Sequence, residues 1–85
     1  MIDVQTHYLH RIDAPARARR WYGLRLTRSL FGEPMLIRSW GRIGGRGARH
    51  AVETHPSAAS AEASLAAWRR AKLRRGYAPA SGTAS

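Results

Sequence analysis

The sequence predicts an α+β domain with two layers, in which a small antiparallel sheet of three to four strands carries one C-terminal helix on one face. Apolar and polar residues alternate up to about residue 54, and apolar residues recur at spacings of three and four after residue 57. A chain of 85 residues holds one core of modest size. We therefore expect a single domain over residues 1–77 and a disordered tail over 78–85.

The first two strands are predicted from period-two alternation. Residues 2–12 alternate, most clearly over 8–12, and Pro15 then ends the strand because proline cannot donate to a ladder. Residues 21–28 form the second strand, preceded by a segment that is either loop or the start of that strand. Trp21 and Tyr22 are neighbours and point to opposite faces, and we expect Tyr22 to be the buried one.

The connection after the second strand is predicted from its turn residues. Gly32 and Pro34 are typical of a turn, and Leu30 and Phe31 are expected to tuck beneath it.

The third and fourth strands are predicted over residues 35–43 and 48–54, as a hairpin. Four glycines form the structural motif of this region: Gly41, Gly44, Gly45 and Gly47. Glycine adopts positive φ at low cost, so a tight turn over residues 44–47 explains the cluster. Alternatively, the loop offers backbone N–H groups to a phosphate, with Arg46 at its tip.

The helix is predicted from a change of period after Pro56. Ser57 is a suitable N-cap, and Gly76 is typical of the position that follows the end of a helix. The predicted packing stripe consists of Ala58, Ala61, Leu65, Trp68 and Lys72. Arg70 and Arg74 lie off that stripe, so they, with Arg75, either contact phosphate or form a solvated face.

The charge balance predicts a polyanionic partner. The formal net charge is +10, and every cation except Lys72 is arginine, which binds phosphate through two parallel hydrogen bonds. Nucleic acid is the expected partner, with other anionic partners and plain solubility as alternatives. No apolar run reaches the length of a membrane span, and the N-terminus does not resemble a secretory signal, so we expect no membrane association and a cytoplasmic location.

Trp40 and Arg42 are the candidate ligand-binding pair. They are two residues apart on a predicted strand, so both project from the same face, with Arg38 beside them. The indole can stack on a sugar or base while Arg42 binds a phosphate. In the alternative reading, the tryptophan covers the sheet and an arginine makes a cation–π contact with it.

Catalysis and metal binding are not expected. Four histidines match no standard metal-site spacing, and five scattered acids form no pair suited to acid–base catalysis. The chain contains no cysteine. We expect no cofactor, no metal and no small-molecule substrate.

The stretch RSWGRIGGRG, with WYGLRL before it and KLRRGY after it, resembles the WGR domain family, named for its Trp-Gly-Arg motif. The resemblance covers roughly residues 8–77. The family occurs in DNA-dependent poly(ADP-ribose) polymerases, where it helps to bind broken DNA ends, and in bacterial proteins, alone or fused. It implies that Trp40 contacts the sugar at a DNA 5′ end, that Arg42 contacts DNA or a neighbouring domain, and that Tyr77 is a further contact. Catalysis is not implied.

The sequence thus predicts a non-catalytic module that binds DNA, its ends included, in a sequence-tolerant way connected with DNA repair. The expected contact residues are Arg38, Trp40, Arg42 and Arg46, extended by Arg70, Arg74, Arg75 and Tyr77. RNA is an alternative ligand, and docking on an acidic protein partner is the alternative function.

Overall fold

The computed structural model describes residues 5–13 and 18–79, which form one antiparallel sheet and one helix. The elements are β1 (Gln5–Asp13), β2 (Ala18–Arg28), β3 (Pro34–Arg42), β4 (Arg49–Thr54), α1 (Ala58–Arg74) and β5 (Ala78–Pro79). The strand order across the sheet is β4-β3-β2-β1-β5. The predicted α+β class, with one helix on one face of an antiparallel sheet, is confirmed.

The strand register determines which side chains face the helix. Tyr22 lies opposite Trp40, and Leu24 lies opposite Arg38, so the third-strand residues Arg38 and Trp40 point to the same side as the core. Tyr22 is only 3% exposed, as expected. The buried core consists of Leu9, Tyr22, Leu24, Leu26, Leu36, Ala61 and Leu65. The helix therefore covers the face that carries the Trp40 side chain.

Capping fixes both ends of α1. The Ser57 hydroxyl accepts a hydrogen bond from the backbone N–H of Ser60 at 3.1 Å, confirming the predicted N-cap. At the other end, Tyr77 N–H donates to the Lys72 carbonyl at 3.1 Å, and Gly76 N–H donates to the Leu73 carbonyl at 3.1 Å. This is a Schellman motif, with Gly76 at φ 96°. It reverses the chain so that Tyr77 packs back against the core.

The motif also leads into β5, an element that the sequence reading did not predict. The prediction of a disordered tail is wrong for Ala78 and Pro79, which pair with His10 and Leu9 of β1. Residues 80–85, the rest of the predicted tail, lie outside the described residues, as do residues 2–4 of the predicted first strand and Pro15. The start of β2 at Ala18 shows that its preceding segment is partly strand.

The prediction that Leu30 and Phe31 tuck beneath their turn is wrong. Leu30 is 100% exposed and Phe31 is 89% exposed. Their turn lies beyond the last β2–β3 pair and is held by its own hydrogen bonds. The Ser29 hydroxyl accepts from the N–H groups of Phe31 at 3.1 Å and Glu33 at 3.2 Å. Because these bonds shape the turn, apolar burial is not required there.

Replacing Gly76 by alanine tests the Schellman motif. The added Cβ would meet Arg11 Nε at 3.7 Å, an ordinary contact, so the cost comes from the left-handed backbone. We expect Gly76→Ala to lower the free energy of unfolding by about 1 kcal/mol in urea denaturation. Arg75→Ala is the control, since Arg75 has φ −87° and should change stability by less than about 0.5 kcal/mol. Equal effects of the two substitutions would contradict this account.

Candidate functional site

A cleft lies between the C-terminal half of α1 and the adjoining ends of β2 and β3. It has a volume of about 740 Å³. It is lined by Arg20, Trp21, Tyr22, Arg38, Trp40, Gly41, Arg42, Arg49, Trp68, Lys72 and Tyr77. Aromatic and cationic side chains thus dominate this cleft.

Arg38 is held at the base of the cleft by contacts in several directions. Its guanidinium carbon lies 4.0 Å from the ring centroid of Trp68 and 5.7 Å from that of Trp40. Its Nη1 donates to the Tyr22 hydroxyl at 3.1 Å. Its Nε is 3.3 Å from Glu53 Oε2, within ion-pair distance, although the N–H is not directed for a hydrogen bond. The cation–π contact considered from the sequence is therefore present for Arg38.

Glu53 is the carboxylate that joins β4 to the helix. Its Oε1 accepts from the Ser64 hydroxyl at 2.6 Å, and its Oε2 accepts from Trp68 Nε1 at 2.9 Å. Burial acts to raise the pKa of Glu53, but hydrogen bonds from Ser64, His55 and Trp68 and the charge of Arg38 lower it further than burial raises it. Glu53 therefore stays ionised and anchors both Arg38 and Trp68.

His55 extends this anchor to the start of α1. Its Nε2 lies 2.9 Å from Glu53 Oε1, and its Nδ1 lies 2.7 Å from the Ser60 hydroxyl. A carboxylate only accepts, so Nε2 carries the proton, and in the neutral imidazole Nδ1 accepts from Ser60. The chain of bonds ties the first turn of the helix to β4, outside the residues that line the cleft.

Three aromatic rings form one wall of the cleft. Tyr22 and Trp40 are stacked, with ring centroids 5.8 Å apart and an interplanar angle of 12°. Tyr77 meets Tyr22 edge-on, with centroids 6.2 Å apart. Such arrangements hold aromatic side chains in fixed orientations. The half-buried Trp40 ring is thus preorganised for a ligand in the cleft.

Four further cations line the cleft besides Arg38. Arg20, Arg42 and Arg49 are exposed, while Lys72 is half-buried with its Nζ 4.4 Å from the Tyr22 ring centroid. Burial, with the charges of Arg75 and Arg38, lowers the pKa of Lys72. Among the residues that the structure describes, Glu53 is already engaged by Arg38, and no described carboxylate lines the cleft. An anionic ligand would relieve this concentration of positive charge.

The glycine loop forms a second, smaller cavity of about 390 Å³ that adjoins the cleft at Trp40, Gly41 and Arg49. Arg46 lines this second cavity. Gly44 and Gly47 both have φ 76°, which supports the tight turn predicted from the sequence.

Gly41 is required for close packing. A Cβ there would lie 3.1 Å from Trp21 Nε1 and 3.3 Å from the Gly47 carbonyl oxygen. The Trp21 indole and the returning loop thus both approach the Gly41 backbone. Gly45 is similarly confined, since its Cβ would lie 3.0 Å from that of Arg42.

The structure brings together five of the eight predicted contact residues in the cleft and the adjoining cavity. Arg38, Trp40, Arg42 and Tyr77 line the cleft, and Arg46 lines the adjoining cavity. Arg70 and Arg74 line neither of these two cavities, and Arg75 acts on the cleft through its charge beside Lys72. The sequence reading did not assign Arg20, Arg49, Trp68 or Lys72 to the site. The strand register places Arg20 opposite Arg42 and Arg49 opposite Trp40.

Two other kinds of site are not found in the described residues. Residues 5–13 and 18–79 contain no group of three or more acids and histidines placed to hold a metal ion. Nor does the described helix have the length and apolar character that crossing a bilayer demands.

Comparison with known proteins gives one family and one relative. The family model described as WGR domain matches residues 5–84. A Sinorhizobium fredii protein named Uncharacterized protein y4dW is 40% identical over 40 residues, which is 47% of this chain and 20% of that protein. The chain therefore spans about a fifth of the length of that relative. No solved structure matches the chain.

Removing the charge of Glu53 tests its anchoring role. Its folded-state pKa lies below the ordinary 4.5, so its contribution to stability is complete above pH 4.5 and is lost as the pH falls through the folded-state value. We expect Glu53→Gln to lower the free energy of unfolding at pH 7 by roughly 2 kcal/mol, because ionic hydrogen bonds to a partly buried group are lost. The measurement is urea denaturation at pH 7 and at pH 3.

The expected pH dependence distinguishes this role from general charge effects. The difference in free energy of unfolding between wild type and Glu53→Gln should narrow as the pH falls from 7 to 3, because the lowered pKa of Glu53 makes its stabilising contribution decline below pH 4.5. Glu62→Gln is the matched control, since Glu62 is exposed on the same domain. A constant gap at both pH values would contradict the anchoring role of the carboxylate.

Proposed function

The chain belongs to the WGR domain family, and we propose that it is a non-catalytic module that binds DNA in the cleft between α1 and the β2–β3 hairpin. One observation carries the proposal: an aromatic wall and four cations that lack a carboxylate partner in the described residues line the same open cleft. Nucleic acid binds to such surfaces, because its bases and sugars stack on aromatic rings and its phosphates pair with cations.

The roles within the cleft follow from geometry. Trp40 offers a ring face that Tyr22 supports from behind at 5.8 Å, so a terminal sugar or base can stack there. Arg20, Arg42 and Arg49 surround this ring on the same face of the sheet and reach phosphates. Arginine suits this role because its planar guanidinium matches phosphate oxygens.

Arg38 has a positioning role in this proposal. Its side chain is only 18% exposed and is engaged by Trp68, Tyr22 and Glu53. We infer that Arg38 supports the rings of Trp40 and Trp68. The exposed cations then supply most of the contact with phosphate.

The size of the cleft favours a strand end or a few unpaired nucleotides. Its volume of about 740 Å³ falls within the roughly 300–1,000 Å³ typical of small-ligand sites. The helix α1 packs on the sheet and is not free to enter a groove, so binding is expected to tolerate any sequence. These points support recognition of DNA ends, as in DNA repair, over recognition of a specific sequence.

Salt dependence tests the electrostatic part of the proposal. With Arg20, Arg42, Arg49 and Lys72 neutralising roughly 3–5 phosphates, log K should fall with log salt at a slope of about −3 to −5. We expect Arg20→Ala to reduce the steepness of that slope by about 1. The measurement is fluorescence anisotropy with a 5′-phosphorylated duplex at several salt concentrations.

Arg28→Ala is the matched control for this experiment. Arg28 is an exposed arginine of the same strand and the same face, about 26 Å from Arg20 at 3.3 Å per residue. The substitution removes one charge far from the cleft, so it should affect the slope much less. A slope near zero for wild type, or equal effects of the two substitutions, would overturn the cleft as the binding site.

End recognition is tested with Trp40. We expect a linear duplex with a 5′ phosphate to bind about tenfold more tightly per site than a closed circle of the same sequence, because stacking at an end contributes about 1–3 kcal/mol. Trp40→Ala should remove this preference, while Trp40→Phe keeps a ring that stacks and should retain most of it. Urea denaturation of each variant checks folding. Equal affinity of wild type for both DNA forms would refute end recognition.

Docking on an acidic protein is the competing explanation for the same cations. A pull-down from lysate, with and without nuclease, separates the two. Partners bridged by nucleic acid are lost on nuclease treatment, as the proposal expects. An acidic protein that is still captured after nuclease treatment, and is no longer captured by the Arg42→Ala variant, would favour the competing function.

A further inference from the structure

The sheet has a second face, opposite α1, that is uncovered in the described structure. We call it the open face. Its described side chains come from four strands: Thr6, Tyr8, His10, Ile12, Arg19, Trp21, Arg25, Thr27, Met35, Ile37, Ser39, His50, Val52 and Thr54. Tyr8 is 48% exposed, Ile12 is 62% exposed and Val52 is 58% exposed. No aspartate or glutamate is among these residues.

Two aromatic rings lie over glycines at the centre of this face. Tyr8 is directly opposite Gly23 on the neighbouring strand, and a Cβ on Gly23 would lie 3.2 Å from Tyr8 Cε1 and 3.5 Å from Trp21 Cζ3. The other end of the indole covers Gly41, where Nε1 would lie 3.1 Å from an added Cβ. The rings therefore rest on the sheet backbone, and a side chain on either glycine would push a ring outward by a few tenths of an ångström.

Cations surround these rings. Arg25 lies two residues beyond Gly23 on β2, and Arg19 lies two residues before Trp21; both are exposed. His10 lies directly opposite Trp21. The open face thus combines exposed ring surface with positive charge and, in its described part, no negative charge.

The charge limits what can cover this face. A second copy would bring together two chains of formal charge +10, with arginines on both contacting faces, and like charges oppose that contact. The carboxylates of an acidic protein would satisfy the arginines but do not themselves stack on the rings. Unpaired bases stack on aromatic faces while their phosphates approach the arginines, and stacking accepts any base.

We propose that the open face is a second nucleic-acid site, which meets the cleft at Trp21 and Gly41 and binds unpaired nucleotides by stacking on Tyr8 and Trp21 with Arg19 and Arg25 at the phosphates. The interior of a duplex cannot use this site in the same way, because its bases are already stacked on each other. The inference does not depend on end recognition, since it concerns the opposite face of the sheet and unpaired nucleotides that have no strand end.

The test uses single-stranded DNA without ends. A labelled closed circle of about 30 nucleotides is compared with a circle of the same length that carries abasic residues, so phosphate number is constant and bases differ. The protein carries Arg20→Ala to weaken the cleft. We expect the base-bearing circle to bind about tenfold more tightly in fluorescence anisotropy, from stacking of one or two bases.

Variants assign the effect to the open face. Tyr8→Leu should remove most of the preference for the base-bearing circle, and Tyr8→Phe should retain it because the ring stays. Arg25→Ala should weaken binding of both circles, while Arg28→Ala, at the far turn, should not. Urea denaturation establishes that each variant is folded, and Arg25→Ala provides a test of the face that leaves both rings in place.

Three results would overturn the proposal. Equal affinity for the two circles would show that bases are not recognised and would leave the face to an acidic protein partner. If Tyr8→Leu left the preference for the base-bearing circle unchanged, stacking would occur elsewhere. If Trp40→Ala removed that preference while Tyr8 was intact, stacking would occur in the cleft. Failure of end recognition by the cleft is measured separately with duplexes, so the two proposals fail independently.

Discussion

The interaction on which the site depends is the one between Glu53 and Arg38. Glu53 is a single carboxylate on β4 that receives Ser64 and Trp68 from the helix and lies beside Arg38 of β3. Those contacts tie α1 to β3 and β4 beside the cleft. In a chain with so few acids, one ionised carboxylate thus holds both a cation and an aromatic ring of the cleft in place.

The Trp-Gly-Arg motif is divided between the two faces of the sheet. Trp40 and Arg42 point to the side of the helix, where they line the cleft, and Gly41 lies under the Trp21 indole on the other side. The central glycine is therefore a packing requirement, and the flanking residues are the ones that can meet a ligand. The glycine loop that follows returns to within contact of Gly41, so the loop and the motif form one packed unit.

Local features could be predicted from the sequence because local rules determine them. The alternation of apolar and polar residues predicts the strands, and Ser57 and Gly76 indicate the ends of the helix. The spacing of two residues predicts that Trp40 and Arg42 lie on one face. The remaining features depend on contacts distant in sequence. Nothing local indicates that α1 covers the Trp40 face, and Arg20 and Arg49 join the cleft only through strand register. The strand β5 forms because the chain reverses at Gly76 and then lies beside β1. Leu30 and Phe31 are exposed because hydrogen bonds to Ser29 shape their turn.

All three tryptophans of the chain, Trp21, Trp40 and Trp68, line the cleft. The ultraviolet fluorescence of the protein therefore arises from rings that surround this one region, and two of them lie within reach of the Arg38 guanidinium. A molecule that enters the cleft changes the polarity around these tryptophan rings and the quenching of their fluorescence. The domain thus carries a built-in optical reporter of ligand binding, to which Trp21 also contributes from the open face, and binding can be followed on the unlabelled protein.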